Sequence, residues 1–219
     1  FLTMALGAGS VTPMQMAAAY SVFANGGYRV HPWLITKVTD HKGRVISEIT
    51  PPTLDEKNRA IDARNAFVMN SLLQEVTRSG TAARAQATLK RTDLAGKTGT
   101  TNDSVDAWFA GYQPTVAAVT WIGYDTPRNL GSRETGGGLS LPVWISFMDR
   151  ALKGVPITEP KVPAGVVNVG GDWFYEEYAR SGVPSLGVED KGSSTTPLAA
   201  PPQQPAAEER NRILDLFKN

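Results

Sequence analysis

Ala95-Gly96-Lys97-Thr98-Gly99-Thr100-Thr101 gathers a lysine, three hydroxyls and two glycines into seven residues. It leads into an aromatic strand pattern, Asp106-Ala107-Trp108-Phe109-Ala110-Gly111-Tyr112. A glycine on each side of Lys97-Thr98 lets another backbone, or a substrate, approach with no Cβ in the way. A cation and several hydroxyl or amide donors thus converge on one small volume, which suits a carboxylate, a phosphate or a developing oxyanion. A phosphate-binding loop would need a glycine five positions before Gly96, where the chain has Arg91, and this argues against phosphate.

Outward from this stretch, Leu94–Thr100, Ala107–Tyr112 and Val116–Tyr124 read as three successive strands, with Pro114 in the turn between the last two. Their short connections make them antiparallel neighbours. The run Val116-Ala117-Ala118-Val119-Thr120-Trp121-Ile122 predicts a strand covered on both faces. Upstream, Asp62 caps a helix over Ala63–Arg78, with Phe67, Leu72, Leu73 and Val76 on its apolar side and Gly80 as its stop. Thr81–Ala87 reads as a short helix, and Leu141-Pro142-Val143-Trp144 begins a final one reaching about Leu152.

Near the start, Thr12-Pro13-Met14-Gln15 carries a capping-box signature. The helix it opens runs to Ala24 and ends at Asn25-Gly26-Gly27. Its alanine-rich composition predicts close packing and burial. Val30–Thr39 and Arg44–Thr50 read as a hairpin around Asp40-His41-Lys42-Gly43. Both histidines, His31 and His41, fall there with no ligand-spaced partner, so neither a zinc site nor a Ser/His/Asp triad is expected.

Composition sets broad bounds. Of 219 residues, 41% are hydrophobic and 20% charged, as in ordinary globular domains. A net charge of +1 without a Lys/Arg block gives no footing for nucleic acid. With no cysteine, disulfides and thiolate metal sites are excluded. No apolar run reaches membrane-spanning length and no signal peptide is recognised. The chain opens on Phe1, and it reads as a piece of a longer protein whose targeting signals would lie upstream. Beyond Gly154, Pro156, Pro160 and Pro163 predict an extended segment, and Trp173-Phe174-Tyr175-Glu176-Glu177-Tyr178 an ordered flap packing back on the domain. From Lys191 to Ala207 the Ser/Thr/Pro/Ala/Gln composition predicts disorder, and Arg212–Phe217 reads as a short helical tail. The expected organisation is 1–155 for the main domain, 156–190 for the extension and 191–219 for the tail.

A lone Lys-Thr-Gly is common by chance. Here it stands among Gly80-Thr81-Ala82, the Ala95–Asp103 and Asp106–Tyr112 stretches, and Gly136-Gly137-Gly138 leading to Pro142-Val143-Trp144. Ala5-Leu6-Gly7, Val11–Tyr20 and Phe23-Ala24-Asn25-Gly26-Gly27 add to the pattern. In order and spacing these resemble the C-terminal half of the transpeptidase domain of class A (bifunctional) penicillin-binding proteins, closely over 1–155 and more loosely over 156–190.

The resemblance implies an α+β penicillin-recognition fold, as in serine β-lactamases: an antiparallel sheet of about five strands flanked by helices, incomplete here. It implies serine acyl transfer at D-Ala-D-Ala with no cofactor, acting on peptidoglycan stem peptides and trapped by β-lactams. In such enzymes a lysine three residues after the serine acts as base and a Ser-x-Asn element passes protons. Carried over, Lys97 supplies positive potential, Thr98 and Thr100 hydroxyls bind the substrate carboxylate, and the Thr100 N–H is one of two oxyanion donors. Gly99 keeps the strand bare where the acyl group lies. Thr101, Asn102 and Trp108 join the substrate-binding set, although for Asp106 and Trp108 strand packing and a turn hydrogen bond are equally good roles.

No serine in the chain is followed three positions later by lysine, and none begins Ser-x-Asn. The nucleophile is therefore expected upstream, together with a glycosyltransferase domain and a membrane anchor at the periplasmic face of the bacterial inner membrane. Alone, the chain is expected to be inactive. The expected partner is the upstream half of the same protein, and a homodimer is left open. A D,D-carboxypeptidase and a non-catalytic penicillin-recognition module are the alternatives.

Overall fold

The computed structural model describes residues 7, 9–51, 54–132 and 134–179, so the tail expected at 191–219 and the end of the extension lie outside the described residues. Its centre is an antiparallel sheet in the order β3 (Ala95–Thr100), β4 (Ala107–Gln113), β5 (Val116–Ile122). The register is unbroken, from Ala95 opposite Tyr112 to Thr100 opposite Ala107, and from Ala107 opposite Ile122 to Gln113 opposite Val116. Because side chains alternate along a strand, this register sorts them onto two faces.

On one face, Ala95 and Tyr112 pack with Leu73 of α2 (Ala63–Arg78), and Tyr20, Phe23 and Ala24 of α1 (Pro13–Ala24) join them around Ala117. On the other, Phe109 packs with Ala85 of α3 (Ala83–Leu89) and with Trp144, Ile145 and Met148 of α4 (Leu141–Ala151), backed by Val116 and Ala118. β5 is thus covered on both faces, as its composition predicted. The second core centres on an edge-to-face pair, Phe109 and Trp144, with ring centroids 4.9 Å apart at 69°. Such a pair adds about 0.5–1.5 kcal/mol beyond the area it buries. It fits because Gly96 and Gly111 have no side chains there. A Cβ on Gly111 would lie 2.7 Å from the Phe109 ring and 2.9 Å from that of Trp144.

The predicted helix starts are present. Thr12 Oγ1 accepts from Gln15 N (3.2 Å) while the Gln15 side chain accepts from Thr12 N (2.9 Å). Asp62 accepts from Arg64 N at the start of α2 (2.9 Å). The buried residues of α2 correct the expected face. They are Ala66, Phe67, Asn70, Leu73 and Thr77, whereas Leu72 is 60% exposed. The inward stripe runs through Ala66, Asn70, Leu73 and Thr77 at i, i+4, i+7 and i+11. Two of its members are polar and have partners on or next to the sheet. Asn70 accepts from the Tyr112 hydroxyl (2.9 Å), and Thr77 donates to the carbonyl of Leu94 (2.6 Å). Burial pushes the Tyr112 hydroxyl far above the ordinary tyrosine range, so it remains a donor.

Other boundaries shift. The short helix lies at Ala83–Leu89 rather than Thr81–Ala87, which leaves Thr81 outside it. The first hairpin pairs only β1 (Lys37–Thr39) with β2 (Val45–Glu48). One further bond, from Ile49 N to Thr36 O at 2.9 Å, continues the hairpin, but Pro32 lacks an N–H and Leu34 is 95% exposed, and residues 30–35 do not extend the pairing. α1 was expected to be buried, yet none of its residues is, and Met14 is 58% exposed. The helix is apolar around its circumference, but only the face towards Tyr112 and Ala117 meets the sheet.

After α4 the chain is tied back by a buried carboxylate. Asp93, 2% exposed, accepts from Arg91 (2.9 and 2.8 Å), from Gln113 (3.1 Å) and from the Thr158 backbone N–H (3.0 Å). Arg91 also donates to the carbonyls of Val155 (2.7 Å) and Pro156 (3.0 Å). Burial pushes the Asp93 carboxyl up, but these donors outweigh it and hold the group below the usual carboxylate range. Further on, β6 (Val166–Val169) and β7 (Asp172–Tyr175) form a hairpin whose turn, Gly170-Gly171, has φ of 65° and 102°. Trp173 stands edge-on to Phe67 at 5.0 Å, while Arg64 lies over the Tyr175 ring and donates to Glu177 at 2.9 Å. Glu177 belongs to the single turn α5 (Glu176–Ala179).

Two stability measurements follow from this packing. In urea unfolding, Gly111→Ala is expected to destabilise by about 1–3 kcal/mol through overpacking, whereas Leu72→Ala changes stability by less than about 0.5 kcal/mol. Asp93→Asn should be destabilising near neutral pH. Because the native carboxyl titrates below its unfolded value of about 3.9, the contribution of Asp93 is present above that pH and disappears as pH falls through the native value. The gap between wild type and Asp93→Asn, followed from pH 6 to pH 3, should therefore close.

Candidate functional site

The site follows from the geometry of β3. Thr101 N donates to the carbonyl of Asp106 at 3.1 Å, which makes Thr101/Asp106 a hydrogen-bonded pair. In an antiparallel ladder such pairs alternate, so Gly99/Trp108, Lys97/Ala110 and Ala95/Tyr112 exchange the bonds to β4. The N–H and C=O groups of Gly96, Thr98 and Thr100 then point out of the other edge. Among the described residues β3 ends the sheet on that side, and from Lys97 to Thr100 it is exposed or half-buried. Lys97 Nζ reaches along this edge to the carbonyl of Thr98 (2.9 Å) and to its hydroxyl (3.4 Å).

Side chains of the predicted site divide between the two faces. Lys97 and Gly99 belong to the α1/α2 face. Gly99 lies against Trp108, whose Cβ would be 3.2 Å from a Cβ placed on the glycine. Trp108 in turn neighbours Trp121 across the sheet, with centroids 6.0 Å apart, and the Trp121 indole N–H donates to Asp106 at 2.8 Å. Thr98 and Thr100 belong to the α3/α4 face. Thr98 shares a 2.8 Å hydrogen bond with the hydroxyl of Thr81, and Thr100 Oγ1 accepts from Gly136 N at 3.1 Å. The Thr101 hydroxyl closes the hairpin by accepting from Asp106 N at 2.7 Å. Asn102 is exposed in the one-turn 3₁₀ helix that follows, Asn102–Ser104, where Asp103 and Ser104 have φ of 58° and 50°.

Several residues without an expected role also build the site. Thr135 caps the π-helical turn Gly136–Ser140 by accepting from Gly138 N at 3.1 Å. Gly136 is pressed on the Gly99–Trp108 pair, where a Cβ would overlap the carbonyls of both residues. The loop before it is tied to the hairpin tip, since Leu130 N donates to Ser104 O (2.9 Å) and the Asn129 amide donates to Asp103 O. The glycine triplet and Gly80-Thr81-Ala82 were visible as patterns, but their meeting over Thr98 needs the tertiary fold. The grooves along α1 (Met14, Ala18, Val22, His31) and α4 (Pro142, Val143, Phe147, Arg150) include no residue of β3. The site is an open strand edge that combines an ammonium group, hydroxyls and outward backbone donors, a set suited to an extended peptide ending in an anion.

The chain is similar to known proteins in sequence and fold. Residues 1–148 match the penicillin binding protein transpeptidase domain. The chain is 48% identical over 177 residues to penicillin-binding protein 1A of Neisseria flavescens, an alignment covering 80% of this chain and 22% of that protein. Against penicillin-binding protein 1A of Pseudomonas aeruginosa the identity is 36%, covering 98% of this chain and 32% of the relative. A crystal structure of penicillin-binding protein 1A from Haemophilus influenzae superposes with a TM-score of 0.71 at 32% identity, over 75% of this chain and 30% of that one. The chain thus spans between about a fifth and a third of the length of these relatives. Among the described residues, no helix is long and apolar enough to cross a membrane. With its mixed α+β fold and its Lys-Thr-Gly edge strand, the chain belongs to the penicillin-binding transpeptidase family, as a partial region of the transpeptidase domain of 1A-type class A proteins.

Proposed function

We propose that this chain forms the Lys-Thr-Gly wall of a peptidoglycan D,D-transpeptidase, which cross-links stem peptides by acyl transfer from D-Ala-D-Ala to a serine outside the chain. The observation that carries this reading is the open edge of β3, where Lys97 Nζ lies 2.9 Å from an outward carbonyl and alternate backbone groups have no strand partner among the described residues. A stem peptide would lie along that edge as an added strand. Lys97 and the Thr98 and Thr100 hydroxyls would hold its terminal carboxylate, with Thr101, Asn102 and Trp108 bordering the same peptide. The outward Thr100 N–H would be one oxyanion donor and the N–H of the serine the second. Losing one such donor typically lowers the rate about a hundred- to a thousandfold. Gly99 would leave the face clear for the acyl group. β-Lactams would occupy the same edge.

In this reading the serine, its lysine base and the Ser-x-Asn element come from upstream sequence, because no serine of this chain has the required spacing. The same upstream sequence would anchor the protein at the periplasmic face of the inner membrane and supply the glycosyltransferase domain of the class A architecture.

Intact-mass analysis after incubation with a labelled penicillin tests the assignment. The chain alone should gain no adduct, whereas pairing it with its upstream half should give one acyl group on that half. Lys97→Ala in the pair should abolish or greatly slow that adduct. An adduct on this chain by itself would show a nucleophile of its own, and absence of any adduct in the pair would favour a non-catalytic penicillin-recognition module.

A further inference from the structure

We infer that Thr81 is a positioning residue for the carboxylate-binding hydroxyl of Thr98, an inference that rests on the reading of the β3 edge given above. Thr81 stands outside the sheet, in the turn between α2 and α3, yet its hydroxyl lies 2.8 Å from that of Thr98. Thr98 Oγ1 also lies 3.4 Å from Lys97 Nζ. A hydroxyl has one proton and two lone pairs. The ammonium can only donate, so Lys97 occupies one lone pair. When Thr81 donates to the second, the Thr98 proton is used by neither of its two partners among the described residues and is free for an anion at the β3 edge. An anion there receives a hydrogen bond from a hydroxyl polarised by two donors, an arrangement that strengthens each bond in the chain.

Thr81 is held for this task by its neighbours. Ala82 is fully buried and its N–H donates to Val76 O at 3.0 Å. Gly80 turns so tightly on α2 that a Cβ would lie 2.9 Å from Val76 Cα. From the other side Gly137 closes over the pair, where a Cβ would stand 3.4 Å from Thr81 O and 3.8 Å from the Thr98 methyl. The hydroxyl of Thr81 is therefore carried by backbone clamped before and after it. The sequence patterns Gly80-Thr81-Ala82 and Gly136-Gly137-Gly138 both serve the orientation of one hydroxyl.

The test compares acylation by a penicillin with acylation by its methyl ester, using the chain paired with its upstream half. Thr81→Val should lower acylation by the free acid about 5- to 20-fold, the usual effect of one lost hydrogen bond in a charged network. It should leave the ester unchanged, and Thr81→Ser should restore the free-acid rate. A merely structural role would slow both compounds alike and would lower the unfolding midpoint. Equal rates for Thr81→Val and wild type on both compounds overturn the inference, as does an equal loss on both. Thr98→Val separates the two levels. If it too leaves the acid-to-ester ratio unchanged, the carboxylate reading of the site is wrong; if it lowers the ratio and Thr81→Val does not, only the role of Thr81 falls. A second readout needs no acylation. With threonine methyls labelled in this chain, N-acetyl-D-alanine should shift the Thr98 resonance, with an apparent Kd 5- to 20-fold weaker in Thr81→Val. A shift of equal midpoint in both proteins, or none in wild type, counts against the inference.

Discussion

The unbroken antiparallel register between β3 and β4 is the constraint from which the rest of the site follows. It decides which backbone groups of Lys97–Thr100 are consumed inside the sheet and which face outward, and it assigns alternate side chains to opposite faces. A slip of one residue would turn the Thr98 and Thr100 backbone inward and exchange the faces of Lys97 and Thr98. Register is strongly specified here because both faces of β4 are loaded. Phe109 fits only the α3/α4 core, and Tyr112 only the pocket where Asn70 takes its hydroxyl.

Glycines on this sheet have distinct tasks. Gly96 and Gly111 clear the space into which the Phe109 and Trp144 rings fit, a matter of close packing. Gly136 lets the π-helical turn lie directly on the Gly99–Trp108 pair, which brings the loop after β5 down to Thr100. Both devices pack the sheet beside the open edge of β3 and, among the described residues, leave that edge unpaired. An edge strand is ordinarily a liability for association. Here Lys97 lies along it, so a charge guards its outward backbone groups.

Buried polar groups position the elements around this sheet. Asn70 and Thr77 sit in the inward stripe of α2 and reach Tyr112 and Leu94, fixing the helix in rotation and height. Asp93 gathers Arg91, Gln113 and Thr158, joining the start of β3 and the end of β4 to the segment after α4. No buried side-chain nitrogen or oxygen among the described residues lacks a hydrogen-bond partner, and losing one partner would leave a buried group unsatisfied.

Element types, helix caps and the donor groups carried by the edge strand were legible in the chain because they depend on neighbours within a few residues. The Thr12–Gln15 capping box, the Asp62 cap, three adjacent strands and the Lys-Thr-Gly donors are local facts, and the pattern of motifs identified the family. Three features were not legible. The buried face of α2 was misread at Leu72 because two of its inward residues are polar, and only the sheet opposite supplies their partners. α1 is apolar all round, so composition alone could not tell which face would find a neighbour. The hydroxyl of Thr81 meets that of Thr98 at a sequence separation of 17, and Gly136 reaches Thr100 at a separation of 36. Sequence by itself therefore determined what chemistry the edge strand can offer, since that depends on residue type and short spacing. Only the tertiary structure decided how the hydroxyls are aimed, because aiming depends on contacts between segments that no local rule brings together.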